Sequence, residues 1–100
     1  MNDYLLLMLD DAADRAAADD AARWDAYLGT LRHSGRFDGG SSIGDGERVR
    51  KGHAPQAVDP ALTGFIRVRA ESLADAKRLL AGNPSYEAGA TVEVRELPRD

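Results

Sequence analysis

Residues 63–97, TGFIRVRAESLADAKRLLAGNPSYEAGATVEVREL, give the clearest indication of how this chain folds. Residues 63–69 and 91–97 both alternate between apolar and polar positions, which predicts two strands with one side buried. In these strands one face receives apolar side chains and the other receives mostly charged ones. The buried face is expected to carry Ile66, Val68, Val92 and Val94, and the opposite face Phe65, Arg67, Arg69, Glu93 and Arg95.

The segment between these two strands predicts a helix. Ser72 followed by Asp75 resembles a capping box, and Gly82 and Pro84 are expected to end the helix. The expected apolar stripe consists of Leu73, Ala76 and Leu80. The last third of the chain is therefore predicted to be a strand–helix–strand unit.

The N-terminal part repeats the strand–helix pattern. Residues 4–9 are apolar at every position, which is typical of a central strand covered on both faces. A helix is predicted from about Asp14 or Asp19 to Ser34, with Gly35 as its C-terminal stop. Its apolar stripe is formed by Ala17, Ala21, Trp24, Leu28 and Leu31, with Tyr27 beside it.

Residues 36–62 are polar and rich in glycine. Since a structureless loop of this length is unusual in a small domain, we predict an edge hairpin insertion at about residues 36–52. Residues 36–43 and 47–51 would form its strands around the turn Gly44-Asp45-Gly46. An irregular connection containing Pro55 and Pro60 would then lead back to the sheet.

Together these elements predict one domain, residues 1–100, of the α+β class. The order indicates a ferredoxin-like βαββαβ sandwich: an antiparallel sheet with two helices on one face. The other face would carry apolar residues of the first strand, either its leucines or Tyr4, Leu6 and Met8. Because no third helix covers them, we expect a homodimer that packs sheet against sheet around a small-molecule cavity.

Composition limits the classes of function. The net charge of −4 argues against a nucleic-acid partner, because phosphate binding needs a basic patch. The chain has no cysteine, so disulfides and thiolate chemistry are excluded. Its longest apolar run is too short to span a membrane, and we expect no membrane partner and a cytoplasmic protein.

The charged residues of the free sheet face are the strongest candidates for ligand contact. Arg67, Arg69, Glu93 and Arg95 would lie close together if their strands were neighbours, and could bind a carboxylate or an enolate-like oxygen. The alternative is a cross-strand ladder of ion pairs that sets the register of the dimer. Trp24 is expected either in the core or at the mouth of a cavity, where it would be a fifth candidate for ligand contact.

Few residues offer catalytic chemistry. His53 precedes Pro55 in the irregular connection and is the better general-base candidate, with Asp38 as a second one. His33 is expected at the solvent side of the helix, near its C-terminus. Ser41 and Ser42 follow two glycines, but such a segment is more typical of a flexible turn than of an anion site. No ligand spacing indicates a metal, and no motif indicates a cofactor.

Several of these segments recur together in one family. They are MNDYLLLMLD, the Trp24-centred helix ending at Gly35, GRFDGGSSIGDG, SLADAKRLLAGNP and VEVREL. The chain thereby resembles the YCII-related (DGPF-type) domain family over nearly its full length. The resemblance implies a ferredoxin-like fold and assembly into a dimeric α/β barrel. It also implies that some relatives are small-molecule enzymes, including a dehydrochlorinase of chlorinated aromatics.

Two positions depart from that family's pattern. Where some relatives carry a histidine on the first helix, this chain has Trp24, so a histidine mechanism does not transfer. The Asp-Gly-Pro-Phe motif is replaced, since residues 51–62 are KGHAPQAVDPAL. The function we expect is a homodimer with a small-molecule cavity, either for proton-transfer or lyase-type chemistry on an anionic or aromatic compound, or as a non-catalytic dimerisation, ligand-binding or regulatory module.

Overall fold

The computed structural model describes residues 1–99 and has an α+β architecture. The helices are α1 (Arg15–Ala18), α2 (Ala21–His33), α3 (Leu73–Arg78) and α4 (Pro84–Glu87). The strands are β1 (Asn2–Leu9), β2 (Phe37–Ser42), β3 (Glu47–Arg48), β4 (Gln56–Ala57), β5 (Leu62–Ala70) and β6 (Val92–Leu97). No helix within residues 1–99 has the length and apolar character needed to cross a membrane.

The main sheet is antiparallel, with the strand order β2-β5-β1-β6. β1 lies inside the sheet, because it pairs with β5 on one side and β6 on the other. This position explains the apolar character of residues 4–9 and confirms the predicted central strand. The sheet and helices are compatible with the predicted ferredoxin-like fold.

The core fills the space between the sheet and the helices. β1 contributes Tyr4, Leu6 and Met8, which are at most 3% exposed, so its leucines at other positions face away from the core. Further buried members are Tyr27, Leu31, Ile66, Val68, Ala70, Ala76 and Leu80. The predicted inward positions of β5 are confirmed, and Val92 and Val94 of β6 pack partly buried against the same cluster.

The predicted first helix is divided into α1 and α2. The side chain of Asp14 accepts a hydrogen bond from the Ala17 amide at 3.0 Å, and Asp20 accepts one from the Arg23 amide, also at 3.0 Å. Because each aspartate caps a new helix N-terminus, the chain stops and restarts between them. Tyr27, expected beside the stripe, is buried at 6% exposure.

The predicted hairpin is wrong in its pairing. β2 pairs with β5 as the edge strand of the main sheet, while β3 pairs with β4 instead of with β2. Backbone hydrogen bonds to β5 hold β2 in the sheet. The polar, glycine-rich sequence of β2 therefore lacks the alternation of apolar residues that would predict this pairing. Residues 43–61, here called the arm, contain β3 and β4, and residues 44–60 are all exposed.

The helical segment before β6 also differs from the prediction. α3 ends at Arg78, and Pro84 begins α4 instead of only terminating the preceding helix. Proline suits the first position of a helix because its missing amide is not needed there. Ala76 and Leu80 are buried as predicted, whereas Leu73 is 50% exposed and does not belong to the apolar stripe.

Candidate functional site

The side of the sheet that faces away from the helices, here called the open face, carries a patch of apolar side chains. In the middle of the sheet Leu5 lies between Arg67 and Arg95, and Leu7 lies between Phe65 and Glu93. We call Leu5, Leu7, Phe65 and Leu97 the apolar strip; all four are partly exposed. Leu5 and Leu7 of β1, and not Tyr4, Leu6 and Met8, therefore lie on the open face.

Ion pairs border the apolar strip on the β2 side. Asp38 lies between two arginines of β5: its Oδ1 is 2.8 Å from Arg69 and its Oδ2 is 3.1 Å from Arg67. Arg67 also lies 3.8 Å from Asp3 of β1, and Arg99 lies 3.3 Å from the same carboxylate. These contacts tie the edge strand β2 to the middle of the sheet.

The β6 side of the strip has a separate ion pair. Glu93 and Arg95, two positions apart on one strand, approach to 3.1 Å. The strand that carries Arg67 and Arg69 and the strand that carries Glu93 and Arg95 are not neighbours, because β1 lies between β5 and β6. Within residues 1–99 Glu93 forms no ion pair with Arg67 or Arg69, which pair with Asp3 and Asp38 instead. The four charged residues predicted to contact a ligand therefore form two groups, Arg67 with Arg69 and Glu93 with Arg95, and the apolar strip lies between them.

Neither candidate base, His53 or Asp38, is placed to act as a general base beside these charged residues. His53 is exposed on the arm, where its backbone amide donates to the Arg50 carbonyl. Both carboxylate oxygens of Asp38 already accept from guanidinium groups. His33 is the last residue of α2 and is exposed, as expected. Within residues 1–99 no cluster of three or more His, Cys, Asp or Glu side chains could hold a metal ion.

A cavity of about 330 Å³ lies on the helix side of the sheet, between α2 and the strands β2 and β5. We call it the α2–β2 cavity. Its apolar wall includes Trp24, Leu28 and Phe37, and its polar lining includes Asp19, Arg32, Ser41 and Ser42. Trp24, predicted in the core or at a cavity mouth, therefore lines a cavity, but on the opposite side of the sheet from the arginines of the open face.

Two contacts fix the wall of the α2–β2 cavity. The Trp24 indole N–H donates to the Ala18 carbonyl at 2.6 Å, and the indole packs edge-on against Tyr27 with ring centroids 5.9 Å apart. The Arg32 guanidinium lies over the Phe37 ring, 5.1 Å from its centroid. The sequence contains one signal for this space: a tryptophan on α2 opposite the small residues of β2.

Tyr27 anchors α2 to the segment that follows α3. Its hydroxyl donates to the Leu79 carbonyl at 2.7 Å. Burial raises the pKa of the Tyr27 phenol above its ordinary value, so the hydroxyl stays protonated and keeps this donor role. A second, shallower depression of about 520 Å³ lies on this side of α2, lined in part by Tyr27, Leu79 and Pro84.

No protein-family model matches the chain, and no curated protein matches it either.

Proposed function

We propose that this protein is a homodimerising binding module, in which the open faces of two copies pack together as a dimeric α/β barrel. The observation that carries the proposal is the apolar strip on a sheet face that no helix of residues 1–99 covers. A contiguous apolar patch in water is unfavourable, and a row of such side chains rimmed by polar groups is typical of an interface.

The charges around the strip support a second copy as the occupant. The strands of the open face carry arginines and carboxylates in equal number, Arg67, Arg69 and Arg95 against Asp3, Asp38 and Glu93, and Arg99 after β6 adds one positive charge beside Asp3. In a two-fold dimer each surface meets itself, so a strongly charged face would repel its own copy. A face with nearly balanced charges avoids that repulsion, although the chain as a whole has a net charge of −4.

The same residues would border the space between the two sheets. In the proposed dimer Arg67, Arg69, Glu93 and Arg95 line a cavity for a small anionic or aromatic molecule. Their existing pairs with carboxylates favour the non-catalytic alternative, in which they set register and bind, over chemistry at this face. Proton-transfer or lyase-type chemistry with His53 or Asp38 as base has weaker support, since His53 is exposed on the arm and Asp38 is held by two arginines. Membership in the YCII-related family is part of this proposal and rests on the sequence segments that resemble the family; the α+β fold is compatible with it.

Light scattering coupled to size exclusion tests the assembly. At micromolar concentration we expect a mass of twice the 10.8 kDa chain. Leu7→Glu should give a monomer, because it places a charge in the middle of the apolar strip without entering the core. Leu73→Glu on α3 is the matched control: Leu73 is 50% exposed, and the variant should stay dimeric.

Circular dichroism separates loss of the dimer from loss of the fold. Both variants should retain the wild-type spectrum. A wild-type monomer at these concentrations, or a folded Leu7→Glu variant that remains dimeric, contradicts the proposal.

A further inference from the structure

We infer that the α2–β2 cavity binds a small amphipathic monoanion, an aromatic or medium-chain carboxylate, with its carboxylate at Arg32 and its apolar body along Trp24. This inference goes beyond the proposed dimer. The residues that carry it belong to one chain and lie on the helix side of the sheet, away from the open face.

The size of the cavity fits a small ligand. At about 330 Å³ it lies at the lower end of the range for small-molecule pockets. This volume corresponds to about eleven water molecules at roughly 30 Å³ each. A ligand of about a dozen non-hydrogen atoms is therefore the appropriate scale.

The apolar wall is fixed before any ligand arrives. The hydrogen bond to Ala18 and the edge contact with Tyr27 hold the Trp24 indole in one orientation. The strand side is built partly from Gly40 and Gly64, which place no side chain in the space. A fixed flat ring opposite a floor of small residues suits a flat or extended apolar group, because little side-chain freedom is lost on binding.

Arg32 gives the site its preference for an anion. Its guanidinium lies over Phe37, and within residues 1–99 no carboxylate approaches it within 4.0 Å. The other cavity-lining charge, Asp19, also lacks an ion pair in the described part of the chain. An arginine beside an aromatic ring with no carboxylate partner is a ready site for a ligand carboxylate, which it can bind with two hydrogen bonds.

The position of Asp19 restricts the ligand to one negative charge. Asp19 precedes α2, whereas Arg32 lies in its last turn. A helix of this length separates the two residues by about 20 Å, so they lie toward opposite ends of the cavity. Within residues 1–99 the lining of the cavity contains no second cation, and its other charged residue, Asp19, is negative, so a second carboxylate would lose its hydration without gaining a partner. The site should therefore discriminate against dicarboxylates of similar length.

Trp24 provides a direct readout, because it is the one tryptophan of the chain. We would titrate the purified protein with octanoate and 4-phenylbutyrate and follow indole fluorescence. At least one probe should give a saturable change, confirmed by isothermal titration calorimetry. Suberate and 4-phenylbutyramide should bind at least about tenfold more weakly, since the first adds a charge and the second removes one.

Variants on α2 assign the effect to the proposed charge. Arg32→Gln should weaken carboxylate binding about tenfold or more and leave binding of the amide unchanged. Arg23→Gln is the matched control: it removes an exposed arginine of the same helix that does not line this cavity. Both variants should keep the wild-type circular dichroism spectrum.

The dimer proposal can fail without affecting this one. The folded Leu7→Glu variant should bind the carboxylates with wild-type affinity, whatever its mass. Absence of saturable fluorescence and heat changes with both probes overturns the inference. Equal affinity for acid and amide, or unchanged affinity in Arg32→Gln, overturns it as well.

Discussion

At the scale of single residues, aspartates cap helices and link segments that are distant in the sequence. Asp14 and Asp20 begin helices, Asp38 ties β2 to β5, and Asp11 accepts hydrogen bonds from both the hydroxyl and the amide of Thr91. The hydroxyl and then the amide of Thr91 hold the pKa of Asp11 below its ordinary value. The sequence could not assign Asp38 this role, because its arginine partners are about thirty residues away and meet it only through the pairing of β2 with β5.

Asp75 gives a prediction for the pH dependence of stability. The Glu71 amide, donating at 2.9 Å, and the Arg36 guanidinium, at 2.7 Å, hold the pKa of Asp75 below its ordinary value. Because protonation then favours the unfolded chain, this contribution is present in full above about pH 4 and is lost as the pH falls through the lower folded-state pKa. Asp75→Asn should therefore lower the free energy of unfolding at pH 7 and flatten its decline between pH 5 and pH 2.5.

Urea denaturation at a series of pH values measures this difference. Asp45→Asn, at an exposed position on the arm, is the control and should retain the wild-type slope. Parallel curves for wild type and Asp75→Asn would show that Asp75 does not contribute in this way.

At the scale of elements, β2 pairs with β5 through backbone geometry that its side-chain pattern does not predict. A Cβ added at Gly40 would lie 2.6 Å from the Phe65 carbonyl oxygen and 3.2 Å from the Ile66 Cα. Both neighbours are backbone atoms of β5 and cannot rotate away. Glycine at this position thus permits the close approach of the two strands at the bulge between Phe37 and Gly40.

Gly40→Ala should therefore weaken the attachment of β2. We expect a loss of about 1–3 kcal/mol in the free energy of unfolding, the range for an added methyl group in a packed site. Thermal denaturation followed by circular dichroism would measure it. Gly44→Ala is the matched control, because it has no atom within 4 Å of the added methyl and no left-handed backbone, and should be neutral or slightly stabilising. Equal melting temperatures for the two variants would contradict this account of β2.

The elements that the sequence predicted best are those with a strong apolar pattern. β1 is apolar throughout residues 4–9, β5 and β6 alternate, and α2 carries an apolar stripe, so the apolar pattern identified all four. The break before α2 was missed because a single cap at Asp20 interrupts an otherwise continuous helical pattern. The pairing of β2 was missed because an edge strand needs only backbone hydrogen bonds, which leave no mark on the choice of side chains.

At the scale of the whole molecule, the two candidate surfaces were predictable to different degrees. That a second sheet face would need a cover followed from the count of helices. The residues of β1 that lie on this open face could not be predicted, because a strand that is apolar on both faces does not indicate which side is inward. The α2–β2 cavity depends on the distance between α2 and β2, and alternation and spacing carry no information about that distance.

The arm makes a further prediction at this scale. Residues 44–60 are exposed, and the ends of the arm are held by backbone hydrogen bonds from Ile43 to Thr63 and from Asp10 to Ala61. Replacing residues 45–60 with a short Asn-Gly turn should leave the fold intact. Since the cost of closing a loop falls by about 0.6 kcal/mol for each halving of its length, we expect stability to be unchanged or raised by about 1 kcal/mol.

Urea denaturation of the shortened chain is the measurement. A control that replaces the same residues with a flexible Gly/Ser segment of equal length separates the effect of loop length from that of the arm's own sequence. A loss of several kcal/mol in both variants would mean that the arm takes part in the fold of the single chain.

The central position of β1 also affects how the chain folds while it is being synthesised. β1 leaves the ribosome before the other strands of the sheet, yet both of its neighbours, β5 and β6, lie in the last part of the chain. At translation rates of about 5–20 residues per second, β1 waits roughly 5–20 s before β6 is complete. During that interval its apolar residues have no permanent partner. The nascent N-terminal strand is thus the segment most exposed to wrong pairing, and the one for which early chaperone contact would matter most.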